Sequence, residues 1–224
     1  MIDKDNYLTV DPEKYTALYL QGREDPSKRY ASWDHCFNYF HKAYVEQRLT
    51  SLTSTEELQN SCLQLGFYLA SWGMYRGKAS LLQMSAQALE PVIFEIVAAP
   101  KVIWQMDVHL YDEKSIGQLL ETAERIRNAL PKGSTDTLVT KTMLGIFGNV
   151  PAFDRYFRNG IDSYRLNQKS LEKIKKYFDQ HRSVFESLRI PTIDFKGENT
   201  DYLYTEAKII DMVFFTYGGG SGAG

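Results

Sequence analysis

Apolar residues return every three or four positions along nearly the whole chain, and this period constrains the fold more than any other feature. The first clear stripe is Tyr30, Trp33, Phe37, Phe40 and Tyr44, which predicts a helix over 28–49 capped by Ser27. Ser54 and Glu57 form a capping-box pattern ahead of Leu58, Cys62, Leu65, Tyr68 and Leu69, with an end near 73–77. Residues 80–89 read as helical, and Glu90-Pro91 starts a short buried helix over 91–99 despite its β-branched residues. The stretch 101–110 is ambiguous. Asp112 caps a helix to about residue 130, a Pro131-Lys132-Gly133-Ser134 turn follows, and 136–147 is helical. Pro151 opens a short helix to about Arg158, stopped by Asn159-Gly160. Asn167 caps a long helix carrying Leu171, Ile174, Phe178, Phe185 and Leu188, which Ile190-Pro191 ends. Leu203, Ala207, Ile210, Phe214 and Tyr217 predict a last helix over 200–217.

The expected fold class is therefore all-α, a multi-helix globular domain over 1–217 with possible lobes at about 1–110 and 111–217. The closing GGGSGAG, 218–224, reads as a flexible Gly/Ser tail or linker. Lys plus Arg total 26 against 28 Asp plus Glu, so overall charge does not advertise nucleic acid or anionic membrane, although a local basic face is compatible with it. Cys36 and Cys62 stand too far apart for a zinc knuckle, and reduced buried thiols are expected. The polar start MIDKDN has no apolar signal region, which points to the cytoplasm. The most apolar run, 91–104, is interrupted by Glu95, Pro100 and Lys101 and is too short to span a bilayer, so no membrane partner is expected. Fifteen tyrosines imply a core with polar edges or a ring-lined cleft.

Residues 130–154 read LPKGSTDTLVTKTMLGIFGNVPAFD: a Leu-Pro-x-Gly turn, a helix, then a Pro-apolar-apolar-Asp step. This segment resembles the centre of the helix-hairpin-helix DNA glycosylases, whose adenine-removing branch has an LPGVG hairpin, a helix and a Pro-apolar-apolar-Asp step at the same separation. The resemblance implies a catalytic carboxylate at Asp154. It also implies a nucleic-acid clamp at Leu130, Lys132, Gly133 and Ser134, followed by Lys141. A carboxylate at a helix start is stabilised by the dipole and free N–H groups, and can serve an oxocarbenium-like centre or activate water. Lys132 and Ser134-Thr135 replace the hairpin's later glycines, and Asp136 occupies the position of the lysine nucleophile of bifunctional members. Lys141 lies one helix face further along, and no four-cysteine motif follows. A Pro-x-x-Asp step equally suits a plain helix start, so a capping role for Asp154 stays open.

Ser71-Trp72-Gly73-Met74-Tyr75-Arg76-Gly77 is a second cluster: Trp72, Tyr75 and Arg76 can form pocket walls for a base or an anion, or simply close a helix. His35, His41, His109 and His181 form no metal-ligand spacing, though Asp107 and His109 share a side if extended. Lys169, Lys173, Lys175, Lys176 and Arg182 line one helix face, and Glu172, Asp179 and Glu186 among them suggest a salt-bridged surface. There is no Walker motif, GxSxG elbow or GxGxxG, and no cofactor or metal is expected. Three functions follow as expectations. One is a glycosylase-like protein that binds or acts on nucleic acid through Asp154. Another is a non-catalytic helical module that binds a protein, in a bacterial stress, defence or mobile-element system. The third is a hydrolase built from Asp107, His109 and Asp154.

Overall fold

Two segments are mostly apolar and buried on every side, and a helix of that kind has to lie at the centre of its domain. They are α7 (Asp136–Ile146), buried throughout 138–146, and α11 (Glu206–Tyr217), buried throughout 207–216. The computed structural model describes residues 6–23 and 25–219, so the tail beyond residue 219 lies outside the described residues. Among them are eleven α-helices and one small sheet, a compact, mostly helical fold.

The other helices present their stripes to this pair. α1 (Pro12–Leu20) and α8 (Arg155–Ile161) pack on α11. α2 (Ala31–Val45) and α3 (Leu58–Ser71) pack on each other and on α7. α6 (Glu113–Ala129) lies between α7 and α4 (Glu90–Val97), while the short α5 (Lys101–Trp104) sits against it. α9 (Gln168–Gln180) packs on α6 and on the 3-10 turn Asn6–Thr9, and α10 (Arg182–Ser187) continues it after a break at His181. One continuous apolar cluster runs from Tyr7 to Phe215 and includes both halves of the chain. Trp33, Phe37, Phe153, Phe157 and Phe214 are fully buried within it, each contributing roughly 2–3 kcal/mol of burial.

Local chemistry sets the boundaries, and in several places it overrides the apolar period. Ser27 does not cap α2: its N–H and hydroxyl donate to Asp25, and the helix begins four residues after it, at Ala31. α2 stops at Val45 because Gln47 turns left-handed (φ 55°) and Arg48 N–H closes back on Ala43 O. Residues 80–83 are turns, and only Ala86–Leu89 forms a 3-10 helix where a longer α-helix was expected. Residues 151–154 form no regular element, with Asp154 N–H turning back onto Ala152 O, so Pro151 opens no helix. Asp154 is instead the cap, and α8 runs past Gly160 until Asp162 takes the left-handed region. At Gly160 a Cβ would stand 2.5 Å from Phe214 O, so this glycine sets how closely α8 approaches α11.

The predicted helix over 200–217 is the largest correction. β1 (Pro191–Ile193) and β2 (Asn199–Leu203) form an antiparallel hairpin, with Pro191 opposite Leu203 and Ile193 opposite Asn199. Gly197 (φ 84°) makes the turn, and α11 starts only after its Thr205 cap. The hairpin is joined to α2 by side chains. Ile193 N–H donates to Asp34, Asn38 donates to Ile193 O, Thr192 donates to Asn38, and Tyr204 donates to the second Asp34 oxygen.

Candidate functional site

Asp154 is the N-cap of α8, and its Oδ1 accepts the N–H groups of Tyr156 (2.9 Å) and Phe157 (3.0 Å). Its Oδ2 lies 3.5 Å from Lys141 Nζ, a buried lysine on α7 whose neighbours along the helix are buried as well. Lys141 donates to Trp72 O at 2.8 Å and stands 5.5 Å from the Trp72 ring. Burial lowers its proton affinity, and the charges of Asp154 and Asp211 offset part of that.

A second ion pair continues the network one helix away. Lys208 Nζ contacts Asp211 Oδ2 (3.1 Å) and donates to Tyr19 OH (3.0 Å), within cation–π range of Tyr19, Trp33 and Trp72. Asp211 Oδ1 accepts Ala152 N–H at 3.0 Å, which ties α11 to the segment before Asp154. Burial raises the Asp211 carboxyl, opposed by Lys208. Tyr68, Trp72, Lys141, Ala152, Asp154, Lys208 and Asp211 border a residual space of about 10 Å³, at the lower limit for a single water. This is a largely buried ionic network, with the Asp154 side chain, 13% exposed, at its edge.

The structure thus brings Trp72, Lys141 and Asp154 together and leaves the other predicted site residues elsewhere. Leu130 is buried, whereas Lys132 and Gly133 are exposed. Ser134 closes its own turn onto Pro131 O and offers its carbonyl to Arg127. Asp136, at the lysine position of the resemblance, pairs with Arg127 at 2.6 Å and accepts Leu166 N–H. Tyr75 is half-buried beside Gly66, and exposed Arg76 folds back over Gly73. The basic face of α9 is salt-bridged as read: Lys175 and Arg182 each meet Asp179 at 2.6 Å.

Asp107 and His109 do meet, with Glu206 as a third partner that the sequence did not suggest. Asp107 accepts N–H groups from Val108, Glu206 and Ala207, while Glu206 accepts from His109 N–H (2.7 Å) and faces its Nδ1 at 3.0 Å. The three groups have ligand atoms within 4.8 Å of one another, and Asp154 is not among them. Burial and the adjacent Glu206 push Asp107 up to about 7. The N–H donors make this chiefly a reciprocal cap of Val108–Leu110 and α11.

A cleft of about 630 Å³ lies between the 23–35 segment, α3 and the hairpin turn. Arg23, Lys28, Arg29 and Lys196 line it with His35, and among the described lining residues Asp194 is the one carboxylate. Phe67 on α3 and Phe195 at the hairpin tip stand 68% and 91% exposed. The cleft meets the buried network at one ring: Trp72 donates to Ser32, a lining residue, and carries the Arg29 guanidinium 4.7 Å from its centre. Sequence reading missed this site because Lys196 lies far along the chain from Arg23, Lys28 and Arg29, and the hairpin was not foreseen. The clustered Arg23, Lys28 and Arg29 were the visible signal.

By fold and site, the chain is a mostly helical domain carrying a largely buried Lys–Asp network and, beside it, a basic cleft edged by exposed rings. No family model, curated protein or solved structure matches it. Among the described residues no helix is long and apolar enough to cross a membrane.

Proposed function

We propose that this protein binds nucleic acid through the basic cleft, and that Asp154 serves the fold rather than glycosidic-bond chemistry. The observation that carries the reading is the cleft itself: Arg23, Lys28, Arg29 and Lys196 converge beside two exposed phenylalanines in a protein of net charge −2. Cations placed against a groove neutralise phosphates, and rings at its edge offer stacking faces to bases. The resemblance of 130–154 to the glycosylases supports a nucleic-acid partner. The capped, enclosed setting of Asp154 favours binding over base removal.

Titration of fluorescent oligonucleotides at several salt concentrations tests this reading. Micromolar or tighter binding is expected, weakening with salt, and Lys28→Glu with Lys196→Glu reduces affinity at least tenfold. Absence of binding at low salt refutes it, and base release from damaged duplexes that Asp154→Asn abolishes refutes its non-catalytic half. A second reading, a protein-binding module, rests on Leu63 and Phe67, exposed one turn apart on α3. Co-purification of a stoichiometric partner lost in Leu63→Ser/Phe67→Ser supports it.

A further inference from the structure

We infer that the cleft takes an unpaired stretch of nucleic acid, with a base stacked on Phe195 and its flanking phosphates on Lys28 and Lys196; this rests on the nucleic-acid reading above. Phe195 is the decisive residue. It is the most exposed large apolar side chain described, and it sits at the tip of a well-tied turn. Asp194 Oδ1 accepts the N–H groups of Lys196 and Glu198, Asp194 N–H donates to Glu198 O, and Gly197 N–H returns to Asp194 O. The carboxylate beside the ring is thereby engaged by its own turn, and Lys196 stands exposed next to Phe195, with Glu198 exposed two residues on. The Phe195 ring has His35 5.3 Å away, so one edge is supported by a neighbouring ring.

The wall that carries Phe195 is set in advance. Asp34 and Asn38 take the N–H and C=O of Ile193, so the open edge of β1 is held by helix side chains. Arg23 secures the same strand through Pro191 O. A ring presented on a fixed wall loses little freedom on binding, which favours affinity.

Geometry then separates unpaired from paired nucleic acid. A duplex hides its base faces in the stack and offers only edges within its grooves. A single strand offers each face to an aromatic side chain, and does so with little regard to sequence. A cleft of about 630 Å³ lies in the range that encloses one small ligand, on the scale of one or two nucleotides and not of a duplex. Lys28 lies 3.8 Å from Asp25, an exposed pair that solvent weakens, so its charge remains available to a phosphate.

Fluorescence anisotropy with labelled 12-nucleotide single-stranded DNA, single-stranded RNA and the matching DNA duplex tests the inference, with poly-glutamate as an acidic-peptide probe. Both single strands are expected to bind at least tenfold more tightly than the duplex. Preference for either sugar supports the inference and assigns its source. Phe195→Ala should weaken single-strand binding roughly 5- to 100-fold with the salt slope unchanged. Lys28→Ala and Lys196→Ala should each lower that slope by about 0.7. Because Phe195 is almost wholly exposed, its loss leaves the core intact, and a circular-dichroism melt verifies this. Equal binding of duplex and single strand, unchanged in Phe195→Ala, overturns the inference and leaves the nucleic-acid reading standing. No binding to any oligonucleotide, or tighter binding of poly-glutamate, overturns both.

Discussion

Replacing Asp154 by asparagine separates the two things its carboxylate does. As a cap it accepts two amides of α8, and asparagine caps almost as well. As an anion it faces Lys141 at 3.5 Å, with side-chain exposures of 13% and 5%. Removing one member of a buried pair costs about 3–5 kcal/mol because the other charge stays buried. Lys141 keeps Trp72 O and the field of Asp211, which places Asp154→Asn at the lower end, about 3 kcal/mol. Asp154→Ala also loses the cap, roughly 1 kcal/mol more. In a domain of this size 3 kcal/mol lowers Tm by about 6–12 °C. Lys141→Met costs less, about 1–2 kcal/mol, because Asp154 retains its two N–H donors. The double variant Lys141→Met/Asp154→Asn should then be no worse than Asp154→Asn alone, with a coupling on the order of 2 kcal/mol. Urea unfolding followed by the fluorescence of the buried Trp33, Trp72 and Trp104 measures all four proteins. An Asp154→Asn protein within about 0.5 kcal/mol of wild type, the bound for a neutral surface change, would refute the reasoning.

Two further outcomes follow from other parts of the fold. Gly117, inside α6 with no atom within 4 Å of an added Cβ, should gain roughly 0.5–1 kcal/mol on Gly117→Ala, whereas Gly160→Ala should lose roughly 1–3 kcal/mol against Phe214 O, both read from denaturation midpoints. Asp107 holds its proton more tightly folded, near 7, than unfolded, near 3.8, so the folded state binds more protons between those values. Its contribution to stability must therefore fall as pH rises from about 4 to 7, by at most about 1.4 kcal/mol per pH unit, and be flat above. The difference between wild type and Asp107→Asn across pH 4–8 isolates it, and a difference that does not change with pH contradicts the assignment.

The helical body was legible because its stripes are long and its caps local. Asp112, Thr135 and Asn167 cap helices within a residue or two of where the pattern ends. The hairpin was not legible because Leu203 falls by chance in phase with Ala207 and Ile210, while the turn that breaks the helix depends on Gly197 and on docking to α2. Part of the Lys–Asp network could have been anticipated. Lys141 is the lone charge in LVTKTMLGI, and Lys208 and Asp211 are the only charges in AKIIDMVFFT, so each needed a partner inside the core. Which partner each finds depends on how α7, α8 and α11 cross, and spacing along the chain carries no record of that. The same is true of Asp107, whose N–H donors include Glu206 and Ala207, about a hundred residues away.

The central place of α11 bears on how the chain is made. Ribosomes deliver residues in order, so α1, α7 and α8 all emerge before the helix they enclose. Until residues 206–217 are available, Tyr19, Ala152 and Phe157 border an empty channel, and Asp154 and Lys141 lack the neighbouring Lys208–Asp211 pair. The nascent protein therefore exposes sticky apolar surface until α11 emerges to cover it. Chaperone dependence during translation, and protease resistance gained once residues 206–217 have emerged, are the expected marks of that order.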